Sequence, residues 1–316
     1  MTACKRFTEL TLYIYILNIL LILEKKCTFV TYYIQILKIQ YTVNLMYIFW
    51  NSNPVMLEFG DFELRWYSFF WVVGLLIAVY TTGRIFKSKR LSEENFNRLF
   101  TYCFLGIFIG ARLGHCFFYD WEYFSQHLAE IILPVRFLPD GSWKFIGYAG
   151  LASHGGTLGL ILALVLYCRK TKMHFLEVAD IIALATPVTA GCIRIANLMN
   201  SEIIGIPTRL PWAFVFERVD MEPRHPAQLY EALAYFCIGL LMWYLYRKQQ
   251  GHLQRGFFFG LCLTAIFVFR FFVEFVKENQ ESFEEGMMLN MGQWLSVPFV
   301  AIGIYFMIQG YKKENI

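Results

Sequence analysis

Arginine, histidine and glutamate rarely occur inside long apolar runs, because an ionisable side chain near the middle of a bilayer costs about 2.5–3.5 kcal/mol. This sequence nevertheless places Arg112, His154, Arg194, Glu231, Arg270 and Glu274 within such runs, with Tyr67 opening the first of them and Asn197 one turn beyond Arg194. The types are suggestive as a set. A guanidinium stays charged in a dry site and binds oxyanions through a two-pronged fork, an imidazole accepts a proton near neutral pH, and a carboxylate can hold an arginine in place. Each also has a plainer reading. Arg270 and Glu274 lie four apart on one helix face and can simply neutralise each other. His154 stands in GLASHGGTLG, where Gly150, Gly155, Gly156 and Gly159 allow close backbone approach between helices or to a ligand, so taken alone it reads as a packing histidine.

The depth of these residues decides between the readings. Apolar runs long enough to cross a hydrocarbon core fall at 66–83, 99–119, 148–168, 178–199, 227–246, 256–276 and 290–309. Basic residues follow the first run (Arg84, Lys87, Lys89, Arg90), the third (Arg169, Lys170, Lys172), the fifth (Arg247, Lys248, Arg255) and the last (Lys312, Lys313), which assigns those ends to the cytoplasm. The other connections are longer or more acidic and face outward. Under that orientation Tyr67, His154 and Glu231 lie near the starts of inward-running spans, and Arg112, Arg194 and Arg270 near the ends of outward-running ones. All fall in the outer third of the membrane, so a polar cavity there explains them better than scattered structural ion pairs. Asp180 is the exception, near the cytoplasmic start of the fourth span.

The spans therefore predict an all-α polytopic membrane bundle of about seven transmembrane helices, a single domain over 66–316. Composition agrees, with 57% hydrophobic and 16% charged residues in a chain of 316, well outside the range of a soluble domain. The net charge of +4 comes from short loops and orients the protein; it does not point to nucleic acid. The eight cysteines show no paired spacing in polar loops, so neither a disulfide framework nor a metal site is expected, and no cofactor is implied. Trp212–Phe216 reads as a short strand in a small extracytoplasmic subdomain. The segment Pro223-Arg224-His225-Pro226 leads into the fifth span with proline near its first turn. There Arg224 reads as a headgroup anchor, and Gln228 and Glu231 share a face able to meet an arginine. Gln293, Trp294 and Ser296 read mainly as an interfacial anchor. Residues 1–65 form an extension with three readings: a signal peptide, an extra anchor helix over Leu10–Leu23, or sequence upstream of a natural start near Met46 or Met56, which is the reading taken here.

Read in order, GARLGHCFFYD (110–120), LASHGG (151–156), IRIANLMNSEIIG (193–205), PRHPAQLYE (223–231), FRFFVEF (269–275) and GQWLSVP (292–298) resemble the motifs of the bacterial prolipoprotein diacylglyceryl transferase family. The likeness runs from about Trp66 to the C-terminus. It implies an inner-membrane enzyme, its C-terminus cytoplasmic and its site toward the outer leaflet. The implied reaction transfers diacylglyceryl from phosphatidylglycerol to the lipobox cysteine thiol of a prolipoprotein, forming a thioether and releasing glycerol phosphate. On that resemblance Tyr67, His154, Arg194, Asn197, Glu202, Gly205, Arg270 and Glu274 match the family's important positions, and Arg112, His225 and Glu231 join the substrate-binding set. Ile193, Ala196 and Ser201 replace glycines of the family signature, Asp120 replaces a common asparagine, and Ile266 a common tyrosine.

With that reaction in view, His154 is the expected base for the thiol, and Arg194 and Arg270 the clamps for the phosphate that leaves. Glu274, Glu202 and Asn197 hold the arginines, and Tyr67 bonds the headgroup. Two other classes compete. A secondary transporter for an anion would need paired broken helices in repeated halves, and no repeat is evident. A non-enzymatic scaffold would not need a histidine clustered with several arginines.

Overall fold

The computed structural model describes residues 47–60, 62–138, 141–145, 150–249, 255–279, 284 and 286–312. The anchor-helix reading of Leu10–Leu23 lies outside them. The chain opens with strand β1 (Ile48–Trp50) and a hairpin of β2 (Val55–Phe59) and β3 (Phe62–Arg65), then enters helix α1 (Trp66–Ser88). Next come α2 (Glu93–Phe118), two short helices α3 (Trp121–Phe124) and α4 (Leu128–Ile132), and a hairpin of β4 (Val135–Phe137) and β5 (Trp143–Phe145). Then follow α5 (Ser153–Thr171), α6 (Phe175–Ala183), α7 (Thr186–Asn200), strands β6 (Phe214–Phe216) and β7 (Pro223–Arg224), α8 (Ala227–Lys248), α9 (Phe257–Val273) and α10 (Met291–Lys312).

The bundle is mostly helical, as expected, but it is not purely α. Strand β6 forms where the sequence predicts one, and it pairs in parallel with β1 and antiparallel with β7. The described part of the segment ahead of Trp66 is thus tied to the bundle: besides the β1–β6 pairing, the Trp50 indole donates to the Leu198 carbonyl at 2.9 Å.

Among the described residues five helices, α1, α2, α8, α9 (extended to Val276) and α10, are long and apolar enough to cross a membrane. The bent pair α6 and α7 makes a sixth if it is one span. The run expected as one span over 178–199 is divided because Pro187, at the start of α7, has no N–H to donate and crowds the preceding turn; the axis bends there by 44°. The run over 148–168 becomes α5, which begins Ser153-His154-Gly155-Gly156-Thr157 and ends at Arg169 and Lys170; that polar content keeps it below the apolarity of the others. Large apolar side chains such as Leu76, Tyr80, Leu158, Leu162, Leu240 and Tyr244 point out of the bundle, as lipid-facing helices require.

Small residues set the helix pairs, since apolar surface drives nothing between helices already in lipid and close backbone contact must do so. Gly106, Gly110 and Gly114 on α2 meet Gly155 and Gly159 on α5, and a methyl group added at Gly110 would lie 2.4 Å from the Gly155 carbonyl. Gly260 on α9 and Gly303 on α10 make a second such seam. The main core, including Ile85, Leu99, Tyr167, Val178, Ile181, Met242 and Phe258, gathers near the first-turn ends of α6 and α9, leaving the other ends of those runs to the polar residues.

Asp180, the exception to that placement, has a structural role. It is fully buried, and its carboxylate accepts from the Gly256 N–H at 2.6 Å and the Phe259 N–H at 2.7 Å. Gly256 is the N-cap of α9 and has no side chain with which to close that end, so a residue of α6 supplies the cap. Asp180→Ala is expected to destabilise the bundle by about 2 kcal/mol, read as a lower unfolding temperature in detergent, with Asp180→Asn between the two. An unchanged transition in the alanine variant would show that α9 does not depend on this cap.

Candidate active site

Helix α8 begins just after β7, and this start places Glu231 one turn inside the bundle, where its side chain is 0% exposed. A buried carboxylate must be neutralised locally. Arg194 of α7 brings Nε within 3.0 Å of one oxygen; Lys277, just past α9, brings Nζ within 3.2 Å of the other, and the Tyr235 hydroxyl donates to that same oxygen at 3.2 Å. The Arg194 contact is a charge pair without an aligned hydrogen bond, since that glutamate oxygen has no bonded donor among the described residues.

Lys277 continues the network. Its Nζ also lies 3.0 Å from Glu274, whose carboxylate approaches Arg270 Nε at 3.6 Å and accepts from the Asn290 amide at 3.2 Å. Room for that carboxylate against α10 comes from Gly292, where an added Cβ would sit 2.6 Å from the Glu274 carboxyl carbon. The intrahelical pairing of Arg270 and Glu274 therefore exists, but it is long. It leaves Arg270 Nε buried without a hydrogen bond among the described residues, while the side chain is 35% exposed. Arg194 is 17% exposed. Each arginine thus has a carboxylate beside it and donor capacity to spare.

On the other flank Arg194 donates to the Asn197 side-chain oxygen at 3.3 Å, and the Asn197 amide donates to Glu202 at 3.1 Å. Asn200 donates to the second Glu202 oxygen at 2.8 Å, and the Gln228 amide donates to the Glu202 carbonyl. Glu202 lies in a tight turn with Ser201 (φ 57°) and Ile203 (φ 57°) on either side in the left-handed region, a strained setting for a β-branched residue. Ser201, one of the departures from the family's glycines, falls at a position where glycine fits most easily. Tyr67, at the start of α1, is within electrostatic reach of both Glu202 and Arg194.

The structure thus brings together Tyr67, Arg194, Asn197, Glu202, Glu231, Arg270 and Glu274. It does not join the rest of the expected set to them. Arg112 turns away: it donates to the Glu130 and Ile131 carbonyls at the end of α4 (Nε to Ile131 at 3.1 Å) and lies over the Phe124 ring at 4.8 Å, so it fastens the α3–α4 segment to α2. His154 is exposed on the first turn of α5, with no ion pair to the network among the described residues. His225 bonds the Tyr230 hydroxyl at 3.2 Å, and burial holds its imidazole below the usual histidine range. Gly205 is sealed between the His225 and Val276 backbones, where an added Cβ would meet either carbonyl at 2.6 Å, which is a packing role.

Other expectations change too. Arg224 is no surface anchor: it is buried, donates to Asp220 (Nε to Oδ2 at 2.9 Å) and reaches Glu278 at 3.3 Å. Those hydrogen bonds hold the Asp220 carboxyl below the ordinary carboxylate range. Gln293 and Ser296 are buried against the bundle, and Trp294 alone keeps the exposed, interfacial character expected of that motif. Lys277 and Tyr235 did not stand out in the sequence. Lys277 follows Glu274 by three residues and so lies near its face, a spacing that could have marked it.

Comparison with known proteins identifies the family. Residues 54–309 match the family model described as prolipoprotein diacylglyceryl transferase. A phosphatidylglycerol--prolipoprotein diacylglyceryl transferase of Bacteroides fragilis is 61% identical over 272 residues, covering 86% of this chain and 98% of its own length. Proteins of the same name from Chloroherpeton thalassium (42% identical, covering 85% of this chain and 97% of theirs) and Porphyromonas gingivalis (38% identical, 84% and 96%) are also similar.

Removing Lys277 leaves two buried carboxylates short of a cation. Lys277→Met is expected to cost about 3 kcal/mol, measured by unfolding in detergent, and Lys277→Arg much less. Adding Glu231→Gln to Lys277→Met should recover part of the loss, and strictly additive effects would show that the two groups are not coupled.

Proposed function

The chain belongs to the prolipoprotein diacylglyceryl transferase family, and we propose that it moves the diacylglyceryl group of phosphatidylglycerol onto the lipobox cysteine of prolipoproteins at the outer leaflet of the bacterial inner membrane. In this reading α5 is a seventh span, the C-terminus is cytoplasmic, and the β1–β6–β7 sheet with its flanking loops forms a small extracytoplasmic subdomain. The observation that carries the reading is the pair Arg194 and Arg270. Arg194 lies 3.0 Å from Glu231 and Arg270 3.6 Å from Glu274, two carboxylates joined through Lys277, yet neither arginine has its donors used up by a carboxylate.

The reaction needs a thiolate, an electrophilic glycerol carbon and support for the departing phosphate. A thiol with pKa near 8.5 is mostly protonated at neutral pH, so a base raises the reactive fraction. His154 takes that proton; its exposed imidazole has no ion pair among the described residues. The sulfur attacks the glycerol carbon bonded to the phosphodiester oxygen. The C–S bond forms as the C–O bond breaks, and the electron pair leaves on glycerol phosphate, which gains one negative charge. Arg194 and Arg270 receive that charge. Guanidinium donors fixed beforehand by Glu231, Glu274 and Asn197 need little reorganisation as it develops. Tyr67, at the start of α1, bonds the headgroup.

Incubating the purified chain with phosphatidylglycerol and a lipobox peptide should add one diacylglyceryl mass to the cysteine. No adduct, with anion flux in liposomes instead, would overturn the reading in favour of transport. Arg270→Lys keeps the charge and loses the fork, so turnover is expected to fall roughly a hundredfold, and near-normal turnover would refute the clamp. His154→Asn should be slowest below pH 7 and recover as pH rises toward about 8.5, where thiolate forms unaided. A variant undiminished at the acid end would end the base assignment.

A further inference from the structure

A cavity with a basic lining lies at the other end of the bundle. The left-handed residue Lys172 (φ 61°) ends α5 and turns the chain toward α6, and beside this turn opens a cavity of ≈ 790 Å³. Its walls include the apolar side chains of Leu91, Val165 and Phe175, and its charged lining includes Arg169, Lys172 and Arg255. None of these three cations makes an ion pair among the described residues. The carboxylate that also lines the cavity, Glu177, is already held by Lys89 at 2.8 Å and so cancels little of their charge. His174 is not a free acceptor either, since its Nδ1 receives the Leu176 N–H at 3.3 Å as the cap of α6.

The distance along α9 separates this cavity from the arginine network. Arg255 stands just before the helix and Arg270 in its last turn, so a rise of 1.5 Å per residue puts them roughly 22 Å apart. That is most of a hydrocarbon thickness of about 30 Å. An apolar wall joined to cations unpaired among the described residues, at the ends of membrane helices, suits an amphiphile with an anionic head. Free phosphate would gain nothing from Leu91, Val165 and Phe175, and a zwitterionic head would bring its own cation among three others.

We propose that this cavity binds one anionic phospholipid of the opposite leaflet, its phosphate held by Arg169, Lys172 and Arg255 and its upper acyl chains laid against Leu91, Val165 and Phe175. The site is separate from the transfer reaction and does not depend on it. Purified full-length chain, titrated in detergent with phosphatidic acid and observed by native mass spectrometry, should retain this lipid about tenfold more tightly than phosphatidylcholine. The triple variant Arg169→Gln, Lys172→Gln, Arg255→Gln should lose that preference while still lipidating a lipobox peptide, and Arg270→Gln should keep it. Equal retention of the two lipids by the unmodified chain would overturn the proposal without any variant. So would an unchanged preference in the triple variant, its loss in Arg270→Gln, or complete displacement by inorganic phosphate. If the triple variant fails to fold, Arg255→Gln alone, at an exposed position, must weaken phosphatidic acid retention.

Discussion

A carboxylate with no access to solvent cannot stay charged unless cations come to it, and Glu231 imposes that condition on the rest of the site. Arg194 arrives from α7 and Lys277 from the chain beyond α9, so three segments far apart in sequence are fixed relative to one another by a single side chain. Lys277 passes the constraint on to Glu274, and Glu274 to Arg270 and Asn290. Breaking a buried pair strands a charge at a cost of several kcal/mol, so this network has few alternative arrangements. The guanidinium donors of Arg194 and Arg270 are therefore held in set positions, as the proposed phosphate clamp requires.

The network can exist only because the backbone around it is drawn in closely. Gly292 leaves space for the Glu274 carboxylate, and Gly205 lets the chain after α7 pass between residues 225 and 276. That passage is recorded in the hydrogen bonds from Gly205 N–H to the His225 carbonyl and from Ile206 N–H to the Val276 carbonyl. It brings the turn carrying Glu202 beside the start of α8, where Gln228 secures it. Gly205 thus supports the network from beneath, through sterics.

The apolar core and the polar network divide the same helices between them. Near the starts of α6 and α9 the packing is made by Val178, Ile181 and Phe258, with Asp180 capping α9. Toward the ends of α7 and α9 it gives way to Arg194, Asn197, Arg270 and Glu274. The Pro187 bend lies between the two zones and redirects α7. The glycine seam joining α2 and α5 positions His154 by a different route, through Gly155 packed on Gly110 and Gly114. The histidine and the arginines are thereby carried by separate helix pairs.

The membrane character and the polar set of Tyr67, Arg194, Asn197, Arg270 and Glu274 were legible in the residues, with Glu202 joined to them by the family resemblance, because lipid makes hydrophobic length and misplaced charge unmistakable in one dimension. What each charge touches was not. Arg112 and Arg194 look alike in the sequence, both near the ends of outward-running spans, yet one binds the carbonyls of α4 and the other a buried glutamate. Asp180 looked anomalous until α9 came beside it, and Lys277 did not stand out until the fold brought Glu231 within reach. Sequence determined which side chains lie in the helices and how often they recur on a face; only the tertiary packing decided their partners. The physical reason is that a charge is neutralised across space, by groups tens or hundreds of residues away, while periodicity reports only on the helix that carries it.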